Sequence, residues 1–95
     1  MRLSTIQQHS IRESVERFLP GAKILLYGSR ADDTKRGGDI DLLVLTKDTF
    51  ERSVQYKILG ALYQRIGEQK IDLLIENPDK LSDFAQLISA DAVPL

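Results

Sequence analysis

The chain contains no cysteine. Disulfide frameworks and zinc–thiolate sites are thereby excluded, and a reducing cytoplasm is compatible with the composition. Its single histidine, His9, has no second histidine at metal-ligand spacing and reads as a surface or partly packed helix residue. There is no basic run either. The 13 Lys and Arg are scattered among 14 Asp and Glu, for a net charge of −1, so the electrostatic footprint of a nucleic-acid binder is missing. No apolar stretch approaches the roughly 20 residues of a membrane helix, and the N-terminus lacks the apolar core of a signal peptide. The expectation is a soluble cytoplasmic protein. A Gly-x-x-x-x-Gly-Lys phosphate loop is absent, and no His–Asp apparatus accompanies Ser29, which excludes a P-loop nucleotidase and a serine nucleophile. No repeat, low-complexity tract or linker divides residues 1–95, so a single domain is expected, small enough to benefit from partner contacts.

What the chain does have is an ordered set of acids. Gly28-Ser29 is followed, after nine residues, by Asp39-Ile-Asp-Leu-Leu-Val-Leu45. Side chains alternate along a strand, so Asp39 and Asp41 share one face. Mg²⁺ takes hard oxygen ligands, usually one or two carboxylates plus substrate phosphates, and these two aspartates suit that role. The turn at Tyr27-Gly28-Ser29-Arg30 follows the apolar strand Lys23-Ile-Leu-Leu-Tyr27, and it is expected to open a short helix whose free N–H groups hold phosphate oxygens. Gly28 lets the backbone approach closely. Asp72 stands among apolar residues in Lys70-Ile-Asp-Leu-Leu-Ile75, where a buried carboxylate is costly unless paired or metal-bound. If that strand lies beside the Asp39 strand, Asp72 completes a three-carboxylate cluster; the blander reading pairs it with Lys70.

The periodicity predicts an α-β-(short α)-β-α-β-α order. Ser4-Thr-Ile-Gln7 is a capping-box pattern opening a helix with Ile11, Val15, Phe18 and Leu19 on one face, stopped at Pro20-Gly21. Strands are expected at Lys23 to Tyr27, Asp39 to Leu45 and Gln69 to Ile75. A second helix is expected from an N-cap at Asp48, with Phe50, Val54, Ile58, Leu62 and Ile66 at helical spacing and Gly67 as its end. Asn77-Pro78 is expected to start the last helix, with Leu81, Phe84, Leu87 and Ile88 on one side. Tyr56 and Tyr63, seven residues apart on the second helix, read as packing before they read as chemistry. The fold class is α/β (α+β): a small mixed sheet with helices packed on one face and the acids on the other.

The run GSRADDTKRGGDIDLLVL, together with Asp72 downstream, resembles the minimal nucleotidyltransferases of the polymerase-beta-like superfamily. The resemblance spans most of the chain, from Ile24 to Asp72. It implies a polymerase-beta-like nucleotidyltransferase core, with metal-binding and catalytic carboxylates at Asp39, Asp41 and Asp72 and nucleotide contacts at Gly28, Ser29 and Arg30. Many members carry a glycine where this chain has Asp33, so the spacer residues Asp32, Asp33, Lys35 and Arg36 have no assigned role; Lys35 and Arg36 lie near enough in sequence to reach a triphosphate.

The resemblance further implies two Mg²⁺ ions and ATP as substrate, with a nucleoside monophosphate moved to a hydroxyl. Members of this kind act with an all-helical partner of the HEPN type, often a toxin, which the transferase neutralises as antitoxin by adding AMP to a tyrosine. The expectation is therefore AMPylation of a HEPN-type partner within a toxin–antitoxin pair, in a possible hetero-oligomer, without direct nucleic-acid or membrane contact. Two alternatives stay open: the catalytic subunit of a two-component transferase acting on a small molecule, and a non-catalytic antitoxin that neutralises its partner by binding.

Overall fold

The computed structural model describes residues 1–34, 38–67 and 69–95. Helix α1 spans Thr5–Phe18, and its start is the capping box expected from the sequence: Ser4 Oγ accepts from Gln7 N, and the Gln7 side chain accepts from Ser4 N. Strand β1 follows at Lys23–Tyr27, then a single 3₁₀ turn at Gly28–Ala31, and strand β2 at Ile40–Leu45. Helix α2 (Ser53–Ile66), strand β3 (Ile71–Glu76), helix α3 (Asp83–Ser89) and the two-residue strand β4 (Val93–Pro94) complete the described elements. The sheet order is β3-β2-β1-β4. Strand β2 runs parallel to β3 and antiparallel to β1, so the sheet is mixed as expected.

Alternation along the strands sorts the side chains into two layers. Ile24 and Leu26, Ile40, Leu42 and Val44, and Ile71 and Leu73 form one apolar layer with Ile11 and Val15 of α1 and Ile58 and Leu62 of α2. Burying each such side chain contributes about 1.5–3 kcal/mol relative to exposure, which explains why the two long helices settle on this face. The opposite face carries Tyr27, Asp41 and Asp72 together with the fully buried Leu43. The short α3 stands against part of that face, its Phe84 ring edge-on to Tyr27 with centroids 6.1 Å apart.

The boundaries differ from expectation where local hydrogen bonds outbid periodicity. Asp48 does not cap α2, which begins five residues later at Ser53. Thr46 is still tied to β3 through its N–H to Glu76 O (3.0 Å), and its hydroxyl accepts from Asp48 N (3.1 Å), so the residues after it lift the chain off the sheet. Phe50 therefore lies outside the helix and is 40% exposed. Gly67 does end α2, with φ 79°. Asn77-Pro78 likewise does not start α3. The Asn77 side chain closes a turn onto Asp79 N (2.8 Å), and Ser82 takes the cap, its Oγ accepting from Ala85 N (3.1 Å) while its own N and Oγ donate to the Glu76 carboxylate (2.7 and 2.6 Å). Leu81 falls before the helix as a result. Strand β4 was not expected: Val93 and Pro94 pair with Leu26 and Leu25 at the sheet edge, the position where proline is tolerated, and two residues carry no readable period.

Leu42 is 0% exposed at the centre of the central strand. Leu42→Ala is expected to lower the free energy of unfolding by about 3 kcal/mol, seen as a fall in the urea midpoint at unchanged slope.

Candidate active site

Register brings the first acids together. Asp41 of β2 stands directly opposite Asp72 of β3 in the parallel ladder and opposite Tyr27 of β1 in the antiparallel one. The three side chains thus form a row across three adjacent strands, on the face away from α1 and α2. The Asp41 and Asp72 carboxyls hydrogen-bond one another, and Asp41 is pushed up to about 6, first by burial, then by the Asp72 hydrogen bond and charge and by the charge of Asp39, with Lys70 opposing. Burial, followed by the Asp41 and Asp72 charges, raises the Tyr27 phenol. Asp72 itself is exposed, because β3 is the sheet edge and its outer flank is open.

Asp39 lies just ahead of β2 and engages Lys70, whose Nζ is 3.4 Å from Asp39 Oδ2. The Lys70 ion pair considered for Asp72 is thus made with Asp39 instead. Among the described residues, no three Asp, Glu, His or Cys side chains are grouped so as to hold a metal ion. Two carboxylates set side by side do suit a hard divalent cation, which removes their repulsion and takes oxygen ligands. Asp41 and Asp72 fit that role as they stand. Asp39 joins them only by parting from Lys70.

Two glycines shape the turn beside this row. Gly28 has φ 75°, and a Cβ there would sit 2.2 Å from Asp41 Oδ2. Gly38 has φ 89°, and a Cβ there would sit 2.0 Å from Ser29 Oγ. Both positions thus need glycine for backbone conformation and for space. Arg30 turns back across the loop, its Nε–H donating to Gly38 O (3.2 Å) and its Nη1 to Arg2 O (3.1 Å). Arg2 answers from the other side: its backbone N donates to Arg30 O (2.7 Å), and its guanidinium donates to Ser29 O (2.7 Å) and Asp32 O (3.2 Å). Arg2 and Tyr27 were missed from the sequence. The Gly-Gly step before Asp39 was a readable sign of a tight loop end, whereas nothing local to Arg2 foretells a contact 27 residues on. Lys35 and Arg36, near enough in sequence to reach a triphosphate, lie outside the described residues, as does Gly37.

Two hollows flank the Tyr27–Phe84 pair. A cleft of about 890 Å³ opens between the turn, at Gly28 and residues 31–34, and the Leu87–Ile88 side of α3. A smaller hollow of about 280 Å³ lies beside Asp72, walled by Gln55, Leu59 and Leu74. Tyr27 lines both. Among the described residues, no helix is long and apolar enough to cross a membrane.

Gly28→Ala is expected to displace the Asp41 carboxylate and weaken divalent-cation binding at least tenfold while the far-ultraviolet circular dichroism is retained; calorimetric titration with Mn²⁺ reads the loss. Asp41→Asn is expected to raise the melting temperature in the presence of a chelator. Removing this partly buried, repelled charge recovers on the order of 1 kcal/mol at neutral pH, once the elevation is discounted for the solvent that screens the carboxyl. The sign follows from the elevation: protonation favours the fold, so the charged pair costs stability as pH rises through about 6, and the variant should lose that dependence.

The family model for the nucleotidyltransferase domain matches residues 9–93. No curated protein matches the sequence. Among solved structures, the chain is similar to one from the tri-AMPylated Shewanella oneidensis HEPN toxin in complex with MNT antitoxin, with a TM-score of 0.64 and 20% identity over 93% of this chain and 70% of that one. At that identity the likeness is one of fold. The family match runs from within α1 to the first residue of β4 and takes in β1, β2, β3 and all three acids. The chain therefore belongs to the nucleotidyltransferase domain family.

Proposed function

We propose that residues 1–95 act as one catalytic domain that transfers AMP from ATP to a tyrosine hydroxyl of an all-helical HEPN-type toxin, and so serve as its antitoxin. The observation that carries the reading is the Asp41–Asp72 pair, held by strand register directly beside Gly28. The solved neighbour supports the acceptor class, because it is a tri-AMPylated HEPN toxin in complex with an MNT antitoxin. Use of a nucleoside triphosphate with a divalent metal is general to nucleotidyltransferases.

In this reading Asp41 and Asp72 would hold a divalent cation, and Asp39, once parted from Lys70, would join them for a second Mg²⁺; the metal would supply neutralisation of triphosphate charge and ease ionisation of the acceptor hydroxyl. Gly28 and Ser29 place the phosphates against the turn. Arg30 contributes by holding the turn closed across Gly38 and Arg2. The acceptor enters on the Asp72 side, where the small hollow suits one side chain. Its oxygen forms the new bond to the α-phosphorus as the bond to the β-phosphate oxygen breaks; Asp72 takes the proton and pyrophosphate leaves.

The test is the intact mass of a copurified HEPN-type partner after incubation with ATP and Mg²⁺, comparing the wild type with an Asp41→Asn, Asp72→Asn variant. A gain of one or more AMP units with the wild type alone is expected. An unmodified partner despite ATP binding would instead favour a small-molecule acceptor, and neutralisation undiminished in the double variant would favour an antitoxin that works by contact.

A further inference from the structure

The acid row and the turn account for the metal and the phosphates but leave the larger cleft and the exposed apolar side of α3 without a task. Leu87 is 74% exposed and Phe84 54% exposed on a seven-residue helix, an expensive presentation of apolar surface unless something covers it. Leu87 and Ile88 face the cleft across from residues 31–34, and Asp91 stands just past the end of α3, within one turn of them. We infer that this cleft is the nucleoside subsite, in which a nucleobase bearing an exocyclic amino group lies on Leu87 and Ile88 with its amino edge toward Asp91. The inference rests on the nucleotidyltransferase reading and assigns the half of the substrate that the reading left unplaced.

Three observations carry it. Gly28 lines the cleft and also abuts Asp41, so a triphosphate on the turn has its nucleoside end within reach of the cleft. The volumes then choose between the two ways out. The cleft of about 890 Å³ lies within the roughly 300–1,000 Å³ range of ligand pockets, and the hollow beside Asp72, about 280 Å³, falls short of it. Charge fixes the direction, because the charged side chains described along the cleft are all carboxylates: Asp32, Asp33 and Asp91. An anionic triphosphate is repelled there, whereas a neutral nucleoside is not.

The carboxylates are also not equivalent. Asp32 accepts from Thr34 N (2.9 Å) and Thr34 Oγ1 (2.6 Å), and Asp33 is paired with the Met1 amino group. Asp91 is the one placed next to the apolar wall, where a carboxylate accepts from the N6 amino group of adenine and is repelled by the O4 acceptor that uracil presents at the corresponding position. An apolar bed with one acceptor at its edge is the usual make-up of a small-molecule site.

The experiment is calorimetric titration of the full chain with three probes: Mg·ATP, Mg·UTP and Mg·tripolyphosphate. Because Leu87 is on the surface, the uncharged substitution Leu87→Ser leaves the fold intact. It is expected to weaken Mg·ATP about tenfold and to leave Mg·tripolyphosphate unchanged. Asp91→Ala is expected to reduce the preference for ATP over UTP to near unity. Equal weakening of ATP and tripolyphosphate by Leu87→Ser, or no weakening of either, would overturn the subsite while the catalytic reading stands. Failure of the wild type to bind any of the three would overturn both.

Discussion

Two carboxylates forced together by strand register are the constraint on which this molecule is organised. The parallel ladder between β2 and β3 sets Asp41 against Asp72, and no rearrangement of side chains alone can separate them far. Asp41 is pushed up to about 6, first by its burial and then by the Asp72 hydrogen bond and charge. The apolar face of the same strands offsets the cost of that burial. Every residue that flanks the acids in sequence, from Ile40 and Leu42 to Ile71 and Leu73, is buried against the two long helices. The alternation that points the acids outward is the same one that points the core inward.

The turn is subordinate to that pair. Gly28 is required because Asp41 occupies the space its Cβ would fill, and Gly38 because Ser29 occupies the other. The spacer is thus pinned at both ends by contacts to functional side chains, and Arg30 and Arg2 knit its carbonyls together with charge-assisted hydrogen bonds. Both guanidiniums are thereby engaged with backbone carbonyls of the turn and the N-terminal segment. This gives positively charged residues of the loop a structural task as well as whatever they offer a substrate.

Much of this was legible in the sequence, and the unread parts share a cause. Ser4 and Gln7 cap α1 as read, and Lys23 to Tyr27 is β1 to the residue, because caps and uninterrupted apolar runs are local signals. The acids on a shared face were legible from period two, but the pairing of Asp41 with Asp72, and of Asp39 with Lys70, required knowing which strands are neighbours and in what register. The starts of α2 and α3 were misplaced because Thr46 and Glu76, whose side chains hold the intervening chain, act across the sheet or over turns with no period of their own. Arg2 belongs to the same class: its importance lies in a contact made over a long separation.

That separation couples the two faces of the sheet. The segment that carries Arg2 leads directly into α1, which packs on the apolar face, while the Arg2 guanidinium holds carbonyls of the turn beside the acids. The seating of a helix on one face thus bears on the shape of the turn on the other.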